Sequence, residues 1–293
     1  MIGPSPHPPD ACDDDEGVRR PRVRPGRRVR RGLGVVALLA MAACSTPAPA
    51  PPPDPAALRV MTWNVETHAH DPSDWAEVIA VQHPDVLALQ EICAGEADEL
   101  AAILQRDHGM AYRSVPGPIR PPTPDEARAP VNEALGPACG TGPDDVAFGL
   151  AVLSRLPVSD PRITAYPPDH RDEQRGFMSL RVTTGVGPTV AVYNTHLGLN
   201  GVGLDQVRRL ADAATARPAV VLGDLNIGPT DPELAPLRAG FTEVDPGAEH
   251  PTTAEGKIDY VFLRGLTTVD PPDTPDTTAS DHRPLVADLR PSG

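Results

Sequence analysis

The sequence predicts an α/β protein with a sheet core and flanking helices. Three observations predict it. Short runs rich in Val, Ile and Leu recur from residue 58 onward, bounded by Gly, Pro, Asp and Asn. Several are apolar at nearly every position, as expected of strands covered on both faces. Helix-like segments lie between some of them, yet 38 of the 293 residues are proline, about 13% against a typical ~5%, which keeps long helices from dominating.

In chain order the predicted strands are 58–65, 85–90, 147–154, 178–183, 189–195, 219–223, 258–263 and 284–289. The first predicted helix begins at Asp74 with Ser73 as its cap, presents Trp75, Val78, Ile79 and Gln82, and stops at Pro84. Residues 97–106 and 204–216 carry a period of 3.6. Residues 116–145 are rich in Pro and Gly without periodicity and read as a surface insertion near the site. The chain shows no internal repeat beyond two broadly similar strand–helix halves.

The N-terminal segment, 1–44, reads as an export signal. Arg27, Arg28, Arg30 and Arg31 precede about a dozen apolar or small residues ending at Cys44. A membrane span needs ~20 apolar residues, so this stretch is too short. The small residues before Cys44 resemble a bacterial lipobox, with Met41 where Leu is usual. A lipid-anchored protein is the first expectation, and plain secretion the second. Residues 1–18 fit no part of such a signal, which suggests a start further downstream. Residues 45–57, STPAPAPPPDPAA, read as an extended tether. Cys93 and Cys139 remain in the mature chain; in an oxidising compartment they form either a disulfide or two buried thiols.

Charge and composition narrow the function. Residues 58–293 hold 18 Lys and Arg against 34 Asp and Glu. This body lacks the positive field of a general nucleic-acid binder, although a bound divalent metal can reverse the field locally. Aromatic residues make up 3% of the chain, too few for an extensive base-stacking platform.

Five apolar runs end in acceptor-rich segments: Thr62-Trp63-Asn64, Gln90-Glu91, Asn194-Thr195-His196-Leu197, Gly223-Asp224-Leu225-Asn226 and Ser280-Asp281-His282. A sixth, Lys257-Ile258-Asp259-Tyr260, sets an acid inside a strand, where it needs a partner; His282 is the natural one. Asp, Glu and Asn oxygens suit Mg²⁺, Mn²⁺ or Ca²⁺. Metal, water and two histidines together describe hydrolysis of a phosphate ester.

In this order and spacing the six segments resemble the endonuclease/exonuclease/phosphatase family, over about residues 58–290. The resemblance implies a four-layer α/β sandwich, two packed mixed sheets with helices outside. It implies that Glu91 is the principal metal carboxylate, with Asn64 and Asp281 beside the metal. It implies that Asp224 and Asn226 orient water and phosphate, that Asp259 holds a catalytic His282, and that His196 contacts the phosphate or the leaving oxygen. Whether Asp224 or the His282–Asp259 pair takes the water's proton stays open. The implied cofactor is Mg²⁺ or Mn²⁺, with Ca²⁺ as a further candidate. The implied substrate is a phosphoester, DNA first and a phospholipid or small molecule second; a monomer is expected, held near a membrane surface by the lipid that the pattern before Cys44 suggests. A scaffold that binds without catalysis is the contrasting class.

Other polar residues have plainer readings. His68 and His70 read as a polar loop near the substrate rather than a second metal site. Thr252 and Thr253 either reach a phosphate or form a turn. Arg113, Arg155 and Arg175 either bind phosphate or form surface ion pairs. Ser154 reads as structural, because no G-x-S-x-G elbow surrounds it. Lys257, the only lysine, reads as solvated.

Overall fold

The computed structural model describes residues 57–119, 139, 148–167, 174–185, 187–199 and 201–292. The expected export signal, the tether up to residue 56 and most of the 116–145 insertion lie outside these residues. The elements run β1 (Leu58–Asn64), α1 (Pro72–Gln82), β2 (Val86–Cys93), α2 (Ala94–His108), β3 (Arg113–Pro118), β4 (Phe148–Ser154), β5 (Val158–Ala165), β6 (Gly176–Val182), β7 (Val190–His196), α3 (Gly203–Ala213), β8 (Ala219–Asp224), a 3₁₀ turn leading into α4 (Ala235–Arg238), β9 (Thr242–Glu243), β10 (Asp259–Arg264), β11 (Leu266–Thr268) and β12 (Leu285–Pro291).

Two mixed six-stranded sheets form, in the orders β11-β12-β1-β2-β4-β3 and β5-β6-β7-β8-β10-β9. Each centres on one parallel pair, β1 with β2 and β7 with β8, and every other pairing is antiparallel. Val60, Val152, Val192, Val220 and Leu222 fill the space between the sheets. Met61, Trp63, Leu87 and Leu89 on the opposite face of the first sheet pack with Trp75 and Ile79 of α1 and Leu100 and Leu104 of α2. Tyr193, Val221 and Phe262 do the same for the second sheet with Val207 and Leu210 of α3. The result is the four-layer sandwich, and it explains the unbroken apolar runs: both faces of the central strands are covered.

The structure departs from the sequence reading at the margins. Helix α1 is capped by Asp71, which accepts from Ser73 N–H at 2.9 Å, and Pro72 opens it; Pro tolerates the first turn because that N–H has no intrahelical partner. Helix α2 starts at Ala94, directly after β2, because the Glu96 carboxylate accepts from Cys93 N–H at 2.9 Å. Strand β5 escaped the pattern because nearly all of it is exposed. Pro116–Pro118, placed in the insertion by composition, complete β3 at a sheet edge, where a missing N–H is tolerated.

Lys257 is not solvated. Its side chain is 1% exposed, and its Nζ donates to Glu243 Oε1 and to the Asp245 carbonyl, both at 2.6 Å. Glu243 also accepts from Arg238 at 2.9 Å, and the Asp245 carboxylate accepts from Glu249 N–H and His250 N–H. This network ties the 245–257 loop to β9. Thr252 is a turn residue: its hydroxyl accepts from Ile258 N–H and Asp259 N–H at 3.1 Å, and its carbonyl accepts from Arg283 N–H at 2.6 Å. Ser154 is structural, bonding through its hydroxyl to both backbone groups of Leu156.

Cys93 and Cys139 form a disulfide with Cα atoms 5.4 Å apart, closing a loop of sequence separation 46. Loop-closure entropy predicts a loss of about 3–4 kcal/mol when it is removed; urea unfolding of the Cys93→Ala/Cys139→Ala variant checks this, and an unchanged midpoint would sink it. Removing one partner of a buried ion pair typically costs about 3–5 kcal/mol. Lys257→Met is therefore expected to lower stability by that amount, read as a fall in unfolding midpoint at constant slope.

Candidate active site

Register brings the polar strand ends together. In the second sheet His196 lies beside Asp224 on the neighbouring strand, and Asp224 beside Asp259 on the next. In the first sheet Asn64 lies beside Gln90. The register of β2 against β4 shifts between Gln90 and Ile92, and Glu91 at that bulge has φ 52°. A bulge re-aims a side chain next to a site, and a left-handed Glu marks local strain held by its surroundings.

Asn64 joins the sheets across the site. Its Nδ2 donates to Glu91 Oε1 at 3.0 Å and to Asp224 Oδ2 at 3.1 Å. Its Oδ1 accepts from Glu66 N–H at 3.1 Å. The amide therefore gathers the two carboxylates, and its oxygen is already engaged. His196 Nε2 stands 3.3 Å from Asp224 Oδ2 and 3.8 Å from Glu91 Oε1. Asn226 donates to the Leu197 carbonyl at 3.0 Å, stands 3.1 Å from His196 Nε2, and gives its backbone N–H to Asp224 Oδ1 at 2.9 Å. Its φ of 51° is one that Asn tolerates better than most residues.

His282 Nδ1 lies 2.8 Å from Asp259 Oδ2, and its Nε2 lies 3.8 Å from Asp224 Oδ2 and 3.9 Å from Asp281 Oδ1. Two further bonds explain why the Thr62-Trp63-Asn64 and Ser280-Asp281-His282 segments belong together. Trp63 Nε1 donates to the His282 carbonyl at 2.9 Å, and the Ser280 hydroxyl donates to the Asn64 carbonyl at 2.8 Å while accepting from His282 N–H at 3.0 Å.

Electrostatics follows from burial and partners. Burial alone would raise the Asp224 carboxyl, but the charge of His196, its hydrogen bond and the charge of His282 outweigh it and bring the pKa down to about 2. Burial and the Asp224 charge push Asp259 up to about 6 against the hydrogen bond from His282. Burial would lower His282, yet the hydrogen bond to Asp259, then the charges of Asp259, Asp224 and Asp281, raise it to about 9. At neutral pH the pair thus holds its proton on His282 and its negative charge on Asp259.

Of the eight residues the sequence singled out, Asn64, Glu91, His196, Asp224, Asn226, Asp259 and His282 form one linked cluster. Asp281 sits at its rim with its side chain 66% exposed, touching it through His282. Among the described residues, the acids and histidines whose ligand atoms all lie within 4.8 Å of one another are Asp224, Asp259 and His282. Asp259 Oδ2 is engaged by His282 Nδ1, while its Oδ1 is buried with no hydrogen-bond partner among the described residues; Glu91 and Asp224, drawn together by Asn64, are the pair best placed for a cation. A divalent cation fits: four carboxylates gather with hard oxygens, and Arg175 is the one lysine or arginine among the described residues that reaches the histidine side of the cluster, its guanidinium against the His196 ring. Arg155 instead pairs with Asp85, and Arg113 donates to the Val158 carbonyl. His70 stays near Glu66, 4.0 Å away, in the polar loop, and His68 is exposed.

Sequence reasoning missed two supports and left a third undistinguished. Asn194 spans the two sheets, donating to the Leu89 and Ala151 carbonyls at 2.9 Å and accepting from Gln90 Nε2 at 2.7 Å. The signal was a polar residue inside an apolar run, read only as part of a strand end. Gly223 has φ 144°, and a Cβ there would overlap the Thr195 carbonyl oxygen, so only glycine lets β8 deliver Asp224 this close to β7. Arg175 was one of three equivalent arginines, and nothing local distinguished it.

Comparison with known proteins agrees with this geometry. The sequence profile of the Endonuclease/Exonuclease/phosphatase family matches residues 61–282. No curated protein matches the chain significantly. Among solved structures, an endonuclease/exonuclease/phosphatase from Beutenbergia cavernae DSM 12333 aligns with a TM-score of 0.64 at 26% identity, covering 81% of this chain and 72% of that one. D. rerio TDP2, complexed with single strand DNA product, gives 0.58 at 18%, over 80% of this chain and 99% of its own. A mannosyl-6-phosphatase from Bacteroides thetaiotaomicron gives 0.56 at 12%, over 79% and 99%; these last two share the fold. With the profile spanning most of its length and its strand-end segments gathered into one cluster, the chain belongs to the endonuclease/exonuclease/phosphatase family, whose members are generally phosphoester hydrolases.

Proposed function

We propose that this protein is a divalent-metal-dependent hydrolase that cleaves a phosphoester with water. One observation carries the reading: Glu91, Asp224, His196 and His282, drawn from both sheets, meet at a single point bridged by Asn64. Glu91 and Asp224 would hold the cation, which supplies Lewis-acid polarisation of a phosphoryl oxygen and a lowered pKa for bound water. Mg²⁺ or Mn²⁺ suits such hard oxygens, and Ca²⁺ is an arm of the test.

The chain's own groups supply the remainder. Asp224, ionised at any physiological pH, accepts a hydrogen from the attacking water and orients it. Asp259 fixes the His282 ring by its bond to Nδ1, so the proton is held or moved at Nε2, on the side facing Asp224. Asn226 and His196 present nitrogen atoms where charge develops on the phosphoryl oxygens. The sequence suggests two substrate classes, a nucleic-acid strand in a nuclease-like reaction and a lipid or small-molecule phosphoester. We further propose that the protein works outside the cytoplasm as a monomer, near a membrane surface through lipid on Cys44; the Arg-rich and apolar pattern before that cysteine supports the export and the anchor.

The test is a hydrolysis panel of plasmid DNA, RNA, sphingomyelin, phosphoinositides and small phosphodiesters, with each metal in turn and with EDTA. Turnover is expected with metal and its loss with EDTA. His282→Ala should lower turnover by at least ~100-fold, the scale of a general acid/base, and equal rates for both proteins would refute the role of that histidine.

A further inference from the structure

We propose that the cleft beside His282 receives the organic arm of a compact phosphoester, and that this arm is uncharged or cationic; this rests on the hydrolase reading above. The cleft has a volume of about 590 Å³ and is lined by the turn at Gly228–Pro229, the loop from Ala248 to Ile258, and Asp281 and His282. Pro229, Ala248, Pro251, Ala254 and Ile258 are the apolar residues of its lining. That volume suits a small organic group.

Its charges are one-sided. Glu255 and Asp281 are the acids of the lining, and both are exposed. Among the described residues Lys257 is the one lysine or arginine of the lining, and its Nζ is spent on Glu243 and Asp245 beneath the surface. Arg283, next in the chain to His282, pairs with Asp276 at 2.9 Å. The arginine of the cluster, Arg175, lies against His196, which does not line this cleft. The internal segments 120–147 and 168–173, outside the described residues except Cys139, are themselves acidic in sequence, with five acids to two arginines and three acids to one arginine. A polynucleotide threading this cleft would set its next phosphate against Glu255 and Asp281, with no uncommitted lysine or arginine among the described residues of the lining to answer it. An alcohol, sugar or ammonium-bearing arm meets no such repulsion and covers the apolar floor.

Three nitrophenyl phosphodiesters that differ in the second arm, choline, glycerol and glycolate, test the idea with the full chain and Mg²⁺ or Mn²⁺. The choline and glycerol esters are expected to show kcat/KM at least about 5-fold above the glycolate ester. Glu255→Lys should erase or reverse the choline-over-glycolate ranking while leaving the glycerol ester within about twofold, and Glu255→Gln should move it the same way by less. Glu255 contributes a backbone bond to its turn, so neither variant threatens the fold. A wild-type preference for glycolate, a ranking blind to Glu255→Lys, or plasmid cleaved more efficiently than all three esters overturns the proposal. If neither the esters nor any substrate of the hydrolysis panel is cleaved, the hydrolase reading has failed. Calorimetric binding of phosphocholine, glycerol phosphate and phosphoglycolate to the same protein then still scores the cleft: tighter binding of the first two supports it, and equal or reversed binding overturns it.

Discussion

The structure depends on a buried polar crossing set within the largely apolar contact between the two sheets. Asn194 leaves the second sheet and bonds the carbonyls of Leu89 and Ala151 in the first, while Gln90 answers it from the first sheet. Valine and leucine packing between the sheets is non-directional and would tolerate a slide. A fully hydrogen-bonded amide pair does not, because a shift would strand its donors in an apolar interior. The crossing lies next in chain to Glu91 and two residues before His196, so it sets how the two halves of the cluster face each other.

Above that crossing, Asn64 continues the same logic at the mouth of the site. It bonds one carboxylate from each sheet, and the Trp63 and Ser280 bonds fasten the loop of His282 to the same strand. The cluster therefore rests on strand ends and on bonds to backbone rather than on free loops. Such support holds side chains within the narrow tolerance that catalysis requires. The local costs are visible as left-handed backbone at Glu91 and Asn226.

The 245–257 loop extends the argument from fold to specificity. Lys257, Glu243 and Asp245 neutralise one another beneath it, and Thr252 ties it to Asp259 and Arg283. One loop thus shapes the cleft beside His282 and steadies the acid that orients His282. Because its lysine is consumed inside, the face it turns to the cleft is apolar and acidic.

Much of this was legible in the sequence. The apolar runs determined the central strands, since a strand covered on both faces needs no alternation. The six polar segments identified the cluster, because acceptors at the ends of such strands have few other uses. Exposed β5 was illegible, as no burial disciplined its residues. The tertiary structure alone decided which of Arg113, Arg155 and Arg175 joins the cluster, that Cys93 pairs with Cys139, that Lys257 is buried, and that Asn194 bridges the sheets. Each depends on what lies across space from the residue. Chain sequence determines local pattern through neighbours one to four positions away, while the partner of a buried charge or amide is set by strand register and sheet packing over separations as long as the 160 residues between Asn64 and Asp224.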